Sequence, residues 1–171
     1  CYRMSLPRFF LIIPTNNRLV MKGQRRMGLK SLDFPVAMNT SEFDVIKSFF
    51  TPALQTSLRY DRGVGFFSSG WLRMVIDGMA QFAENGGQAR IITSPILNDE
   101  DWEALQKGAA AYHDRILYQS LAQTIDSLRS TLERDVRSAL SWLIADGVLT
   151  FKLAVPQNDL AGEFHAKFGV F

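Results

Sequence analysis

The sequence predicts an α/β protein with a mixed β-sheet flanked by helices. Short apolar segments suited to buried strands alternate with longer segments in which apolar residues recur every three or four positions. Glycine-containing stops at residues 85–87 and 146–147 separate helical segments from the strands that follow. An alternating order of strands and helices is typical of a sheet covered by helices.

The predicted strands are short and rich in aliphatic or aromatic residues. They cover residues 63–67, 89–92, 149–155 and 164–171. Residues 1–38 are predicted to form an N-terminal extension of uncertain order, with one strand at 9–13, and residues 39–171 to form the domain.

The predicted helices follow the spacing of apolar side chains. The first is capped by Thr40 or Ser41 and runs to Phe50, and the second covers residues 71–82. Asn98 or Asp99 caps a third helix. Residues 111–145 are predicted to form one amphipathic helix, or two in line.

Composition limits the class of protein. The chain has 171 residues, 47% of them hydrophobic and 21% charged, which suits a domain with a hydrophobic core and excludes a disordered tail. The single cysteine, Cys1, excludes an internal disulfide and a cysteine-based metal cluster, so we expect a reducing, cytoplasmic setting. No apolar run approaches the roughly 18 residues that span a bilayer, so no membrane partner is expected. With a net charge of +2, the chain permits phosphate-rich partners without requiring them.

The segment at residues 164–171 carries the most specific chemical prediction. Alternate residues of a strand point to the same face, so His165 and Lys167 are predicted to project together. An imidazole can attack phosphorus when its other nitrogen is held by an acceptor, and a neighbouring ammonium stabilises phosphoryl oxygens. This chemistry needs no metal or other cofactor. Two polar residues facing solvent are the alternative interpretation of an isolated His-x-Lys.

Other polar residues lie where ligands of α/β sheets gather, at strand ends. Ser68 and Ser94 follow two predicted strands and are predicted substrate-binding residues, although turn or helix capping is an equally good role for Ser94. Arg59 and Arg62 either face phosphate or pair with carboxylates such as Asp61.

For two further features, a structural role is preferred over a catalytic or binding role. His113 is predicted to be a solvated or capping histidine at a helix start, and with only two histidines in the chain a zinc site is not expected. Gly63 and Gly65 lack the third glycine of a dinucleotide fingerprint and are predicted to be turn or packing glycines.

Several segments resemble the phospholipase D-like domain found at the start of certain bacterial helicases and restriction-type nucleases. They are RYDRGVGFFSSGWL at residues 59–72, IITSP at 91–95, WLIADG at 142–147 and the step into FHAK at 164–167. His165-x-Lys167 resembles the first half of the superfamily signature, and the likeness covers about residues 40–171. The family fold, a mixed sheet flanked by helices, agrees with the order of elements predicted above.

The resemblance implies a metal-independent phosphodiesterase of nuclease type, belonging to a helicase-linked or restriction-like defence protein. His165 would be the nucleophile that forms a phosphohistidine, or the acid that protonates the leaving group, and Lys167 would bind phosphate. A complete site in this family joins two such motifs, from two repeats or two subunits. The implied partners are therefore nucleic acid, with DNA as the expected substrate, and either a second copy of the chain or a second motif in a longer parent.

The sequence departs from the family pattern after Lys167. Phe168 to Phe171 follow, and the chain stops before the polar residue of the motif and before any Gly-Ser-x-Asn element. We therefore expect little or no turnover from this chain by itself. A non-catalytic module for nucleic-acid binding or dimerisation, with a vestigial motif, is the alternative; lipid hydrolysis is less favoured because no exposed amphipathic loop accompanies the motif.

Overall fold

The structure, a computed structural model, describes residues 28–155 and 164–171 and contains one mixed sheet. Its four strands are β1 (Arg59–Val64), β2 (Gln88–Thr93), β3 (Leu149–Leu153) and β4 (Phe168–Val170). They lie in the order β3-β2-β1-β4. The first three are parallel, and β4 is antiparallel to β1. The prediction of an α/β protein with a mixed sheet flanked by helices is confirmed.

Seven α-helices connect or precede the strands in the described part of the chain. They are α1 (Thr51–Thr56), α2 (Gly70–Met74), α3 (Ile76–Glu84), α4 (Asp99–His113), α5 (Arg115–Ala122), α6 (Leu128–Arg134) and α7 (Val136–Ala145). A 3₁₀ turn (Leu29–Ser31) precedes them, and a π-helical turn (Ile46–Phe50) leads directly into α1. None of the helices in these residues is long and apolar enough to cross a membrane.

The strands place their buried residues on one face of the sheet. Tyr60, Ala89 and Leu149 are aligned across β1, β2 and β3, and all three are about 1% exposed. The chain moves in one direction across these parallel strands, so two right-handed crossovers bring α2–α3 and α4–α7 to the same face. This helix-covered face forms the hydrophobic core, together with Phe82 and Leu140.

The prediction of one amphipathic helix, or two in line, over residues 111–145 is wrong, because short polar side chains divide this segment into several shorter helices. Asp114 accepts hydrogen bonds from the Ile116 and Leu117 amides and caps α5. Ser127 caps α6 through the Ser130 amide, and Asp135 caps α7 through the Ser138 amide. Asp and Ser compete for backbone amides in this way and favour the first position of a helix over its interior. Asn98 caps α4 as predicted.

Two other predicted helices have different bounds. The segment at 71–82 is divided at Val75, whose φ and ψ of −107° and 27° separate α2 from α3. The first helical segment begins near Ile46 rather than at Thr40 or Ser41, which lie in a turn, and it continues through Pro52 in the first turn of α1. Proline is tolerated there because its missing N–H would have had no partner.

The ends of the strands differ from prediction in β1 and β4. β1 ends at Val64, so most of the predicted strand at 63–67 is the loop that follows it, and β4 begins at Phe168 rather than at Phe164. β2 matches its prediction within one residue at each end. Gly86 and Gly147, both with a φ of 76°, stop their helices as expected, because this backbone conformation costs glycine little.

The described residues also bear on the predicted N-terminal extension. The ring of Phe34 lies 4.8 Å from that of Phe49, so packing against the domain begins before residue 39. The predicted strand at 9–13 lies outside the described residues.

Candidate active site

The loop after β1 meets the segment that carries His165. A Cβ atom at Gly65 would lie 2.9 Å from the Phe164 carbonyl oxygen, 3.2 Å from the His165 Cα and 3.3 Å from the His165 Nδ1. The first distance is shorter than a side-chain carbon tolerates. Residue 65 must therefore lack a side chain for His165 to lie where it does.

Gly63, two residues before Gly65, also makes room for the C-terminal segment. The ring of Phe168 occupies the space that a Cβ at Gly63 would fill, and these two residues are paired in the sheet. The Gly-x-Gly spacing therefore accommodates β4 and the turn before it. The prediction of turn or packing glycines at 63 and 65 is confirmed, and no local pattern indicated which segment they accommodate.

His165 and Lys167 lie in the irregular segment just before β4, and both are exposed. The prediction that a strand orients them together is wrong, because pairing with β1 starts only at Phe168. Within residues 28–155 and 164–171, neither side chain has a hydrogen bond or an ion pair. His165 is positioned by its close approach to Gly65, whereas no such contact is described for Lys167.

A cavity of about 440 Å³ opens at the carboxyl end of β1, and neither Gly65 nor His165 lines it. Its lining combines apolar residues with one arginine and one serine: Arg62, Val64, Phe66, Phe67, Ser68, Gly70, Trp71 and Met74. Val64 and Phe66 are the chain neighbours of Gly65. Since consecutive Cα atoms are about 3.8 Å apart, the Cα of His165 lies within roughly 9 Å of the Cα atoms of both.

Arg62 is held in the cavity wall by aromatic side chains. Its guanidinium carbon lies 4.2 Å from the centre of the Trp71 ring and 5.9 Å from that of Phe50. It also donates a hydrogen bond of 3.3 Å to the Tyr60 hydroxyl. Burial raises the pKa of that phenol, which keeps it protonated and neutral. Within the described residues, no carboxylate pairs with Arg62.

Asp61 pairs with neither of the arginines proposed for it from the sequence. It accepts two hydrogen bonds from Arg90, its neighbour on β2, on the face of the sheet opposite Tyr60. The Arg90 guanidinium holds the pKa of the Asp61 carboxyl below its ordinary value. Arg59 is exposed at the start of β1, at the opposite end of the strand from the cavity.

The two serines predicted to bind substrate have different positions. Ser68 lines the cavity, and its Oγ accepts a hydrogen bond of 3.3 Å from the Gly70 amide. Ser94 is 2% exposed and does not line the cavity; its Oγ accepts a long hydrogen bond from the Ile96 amide. The structure therefore brings Ser68 towards the site and gives Ser94 the turn-capping role that was its alternative.

Asp101 joins the loops that follow β1 and β2, and sequence reasoning did not single it out. Its carboxylate is fully buried, and Oδ2 accepts hydrogen bonds from the Ser69 amide at 2.9 Å and from the Asn98 side chain at 3.1 Å. Its own amide donates to the Asn98 Oδ1. Oδ1 of Asp101 has no partner within the described residues. The pattern Asn98-x-x-Asp101 is a sequence signal for a helix start. The hydrogen bond from the Ser69 amide to Asp101 joins residues 32 positions apart, and no local pattern in the sequence predicts it.

The structure also shows the position of His113. His113 is exposed at the end of α4 rather than at a helix start, and its ring contacts that of Tyr112. No group of three or more His, Cys, Asp or Glu side chains that could hold a metal ion occurs in the described ranges. The chain matches no protein family, no curated protein and no solved structure with which it was compared.

Adding a side chain at Gly65 is expected to displace His165. Gly65→Val should push the Phe164–His165 backbone outwards and lower any His165-dependent turnover by about tenfold or more, since small misplacements of a reacting group are costly. In NMR spectra of the imidazole groups, the His165 signal should shift while that of His113 stays in place. Gly28→Val is the matched control, because a Cβ at Gly28 has no neighbour within 4 Å among the described residues. Unchanged His165 signals in Gly65→Val would contradict the described contact.

Proposed function

We propose that this chain carries one half-site of a metal-independent phosphodiesterase of the phospholipase D-like superfamily, acting on nucleic acid in a helicase-linked or restriction-like bacterial defence protein. The observation that supports it best is the position of His165. This residue lies against Gly65, and the two chain neighbours of Gly65, Val64 and Phe66, line a cavity at the carboxyl end of β1, where ligands of α/β sheets bind. The phospholipase D-like likeness of residues 59–72 and 164–167 therefore concerns two segments that meet in space.

The geometry also favours one ring nitrogen as the nucleophile. Nδ1 of His165 faces Gly65, which leaves Nε2 for the substrate. In the proposed first step, the Nε2 lone pair forms a bond to phosphorus and the bond from phosphorus to the leaving alkoxide breaks. The leaving oxygen takes a proton from an acid on the second motif. Water then attacks phosphorus and gives a proton to the same group on the second motif, which now acts as the base; the P–N bond breaks, and a phosphate monoester and free imidazole are released.

Lys167 has a purely electrostatic part in this scheme. Its exposed ammonium, two residues from His165 in the chain, would neutralise the non-bridging oxygens of the phosphoryl group as they gain charge. The steps use a nucleophile, an ammonium, a general acid and water, so the proposal includes no cofactor. The general acid is a second histidine, which a second copy of the chain or a further motif in a longer parent would supply.

A non-catalytic nucleic-acid-binding or dimerisation module is the second candidate. The observation that favours it is the unsupported imidazole: within the described residues no carboxylate or carbonyl accepts a hydrogen bond from His165. A nucleophilic histidine is normally oriented by such an acceptor. The two candidates differ in whether His165 becomes covalently modified.

Trapping the covalent intermediate separates them. The protein from the complete reading frame is incubated with bis-p-nitrophenyl phosphate or single-stranded DNA, quenched in alkali, and digested for mass spectrometry. We expect a phosphoramidate on His165 and none on His113, the only other histidine of this chain. His113→Ala should leave the modification intact and His165→Ala should abolish it. Turnover without any modified His165, or binding without turnover, would favour the module.

A further inference from the structure

The cavity at the carboxyl end of β1 has the composition of a site for a flat, weakly polar ligand that carries negative charge nearby. Val64, Phe67 and Trp71 form buried parts of its wall, whereas Phe66 is 57% and Met74 is 59% exposed. A large aromatic and a methionine left in water at the mouth of a cavity lose the stabilisation that burial would give them. The cavity, about 440 Å³, is open to solvent.

The charge of the cavity identifies the kind of ligand. Arg62 is fixed against Trp71 and Tyr60 and has no carboxylate partner within the described residues. The Asp61 carboxylate, one residue away, is occupied by Arg90. The guanidinium is thus a pre-oriented cation in an otherwise apolar wall, a form that suits phosphate, since arginine binds phosphate oxygens through two N–H groups.

We propose that this cavity binds one nucleotide of a single-stranded nucleic acid, next to the phosphodiester that His165 attacks. The base lies between Phe66 and Met74, and Arg62 binds a phosphate of the same strand. Aromatic stacking is the usual way in which proteins hold unpaired bases without reading their sequence. The inference rests on the proposed function for the position of the reacting phosphate, and it adds the substrate class: unpaired strands with bases, rather than duplexes or small phosphodiesters.

The binding test compares two strands with equal numbers of phosphates. A fluorescein-labelled oligothymidylate and an abasic strand of the same length are titrated with the protein from the complete reading frame, in a His165→Ala background that prevents cleavage, and anisotropy is measured. Wild-type cavity residues should give a preference of about fivefold or more for the strand with bases. Phe66→Ala and Met74→Ala should each reduce that preference and leave affinity for the abasic strand unchanged.

Matched variants separate this effect from a general loss of apolar surface or charge. Ile116→Ala removes a side chain that is 77% exposed on α5, away from the cavity, and should keep the preference for bases. Arg62→Met should lower the slope of log affinity against log salt by about 0.7, the value for one phosphate contact on a single strand. Arg115→Met, at the start of α5, should leave the slope unchanged.

The outcomes distinguish this inference from the proposed function. Equal binding of the two strands, or a preference that survives Phe66→Ala and Met74→Ala, overturns the nucleotide site even if His165-dependent cleavage is observed. A preference lost in both variants supports the site, and it does so even if no cleavage is found and the proposed enzymatic function fails. An unchanged salt slope in Arg62→Met would show that Arg62 does not bind the phosphate.

Discussion

His165→Ala is expected to lower phosphodiester turnover by about four orders of magnitude or more, because it removes the atom that forms the covalent bond to phosphorus and not merely a binding contact. The loss should appear in kcat, with little change in KM. Lys167→Ala should cost about 10²–10³-fold, the usual effect of removing one group that stabilises developing charge. The measurement is the rate of p-nitrophenol release from bis-p-nitrophenyl phosphate by the product of the complete reading frame.

The two histidines of the chain provide the control for this prediction. His113 is exposed at the end of α4, and its replacement with alanine should leave the rate unchanged. A chelator such as EDTA should also leave the rate unchanged, because the proposed steps use no metal ion. Turnover that survives His165→Ala, or that is lost on chelation, would contradict the proposed mechanism.

The largest effect on stability is expected at Asp101. Asp101→Ala removes a fully buried carboxylate that accepts from the Ser69 amide and from Asn98, and leaves both donors without that partner. Hydrogen bonds to a charged group contribute about 1.5–3 kcal/mol each, and a buried unsatisfied donor is costly, so we expect the free energy of unfolding to fall by about 3 kcal/mol. Chemical denaturation in urea, followed by circular dichroism, measures this change.

Asp99→Ala is the matched control for Asp101. It removes a carboxylate from the same first turn of α4, but an exposed one, so only its interaction with the helix dipole is lost, about 0.3–1 kcal/mol. If both variants lose the same small amount, the junction between the two loops contributes little. Because Ser69 follows Ser68 in the cavity wall, Asp101→Ala should also weaken binding of the oligothymidylate.

Local signals were sufficient to predict much of the fold. Left-handed glycines stop the helices before β2 and β3, and the aliphatic run at 89–92 is a buried strand. Periodicity alone failed between residues 111 and 145, where apolar spacing continues while Asp114, Ser127 and Asp135 interrupt the backbone. The pattern of side chains reports which face is buried, and it does not report whether the helix axis is continuous.

The sequence predicted a chemistry for the candidate site but not its geometry. The residue types His165 and Lys167 indicate phosphoryl chemistry, and Ser68 lines the cavity, although it lies four residues after the end of β1 rather than at the end of a strand. The strand expected to orient His165 and Lys167 together begins only at Phe168, where pairing with Gly63 of β1 starts. Arg62 was assigned to phosphate or to a carboxylate, and its contact with Trp71 was not foreseen.

The sequence by itself determined the α/β class and much of the order of elements, because these depend on composition, local spacing and backbone preferences. Only the tertiary structure decided that Gly65 makes room for His165, that Asp101 joins two loops, and that Arg62 is held in a cavity by aromatic rings. The pairs at Gly65 and Asp101 lie 100 and 32 positions apart in the chain. Such contacts follow from strand order and packing, for which a single sequence carries no local signal. The His-x-Lys segment thus acquires a neighbouring cavity from the fold, not from its own three residues.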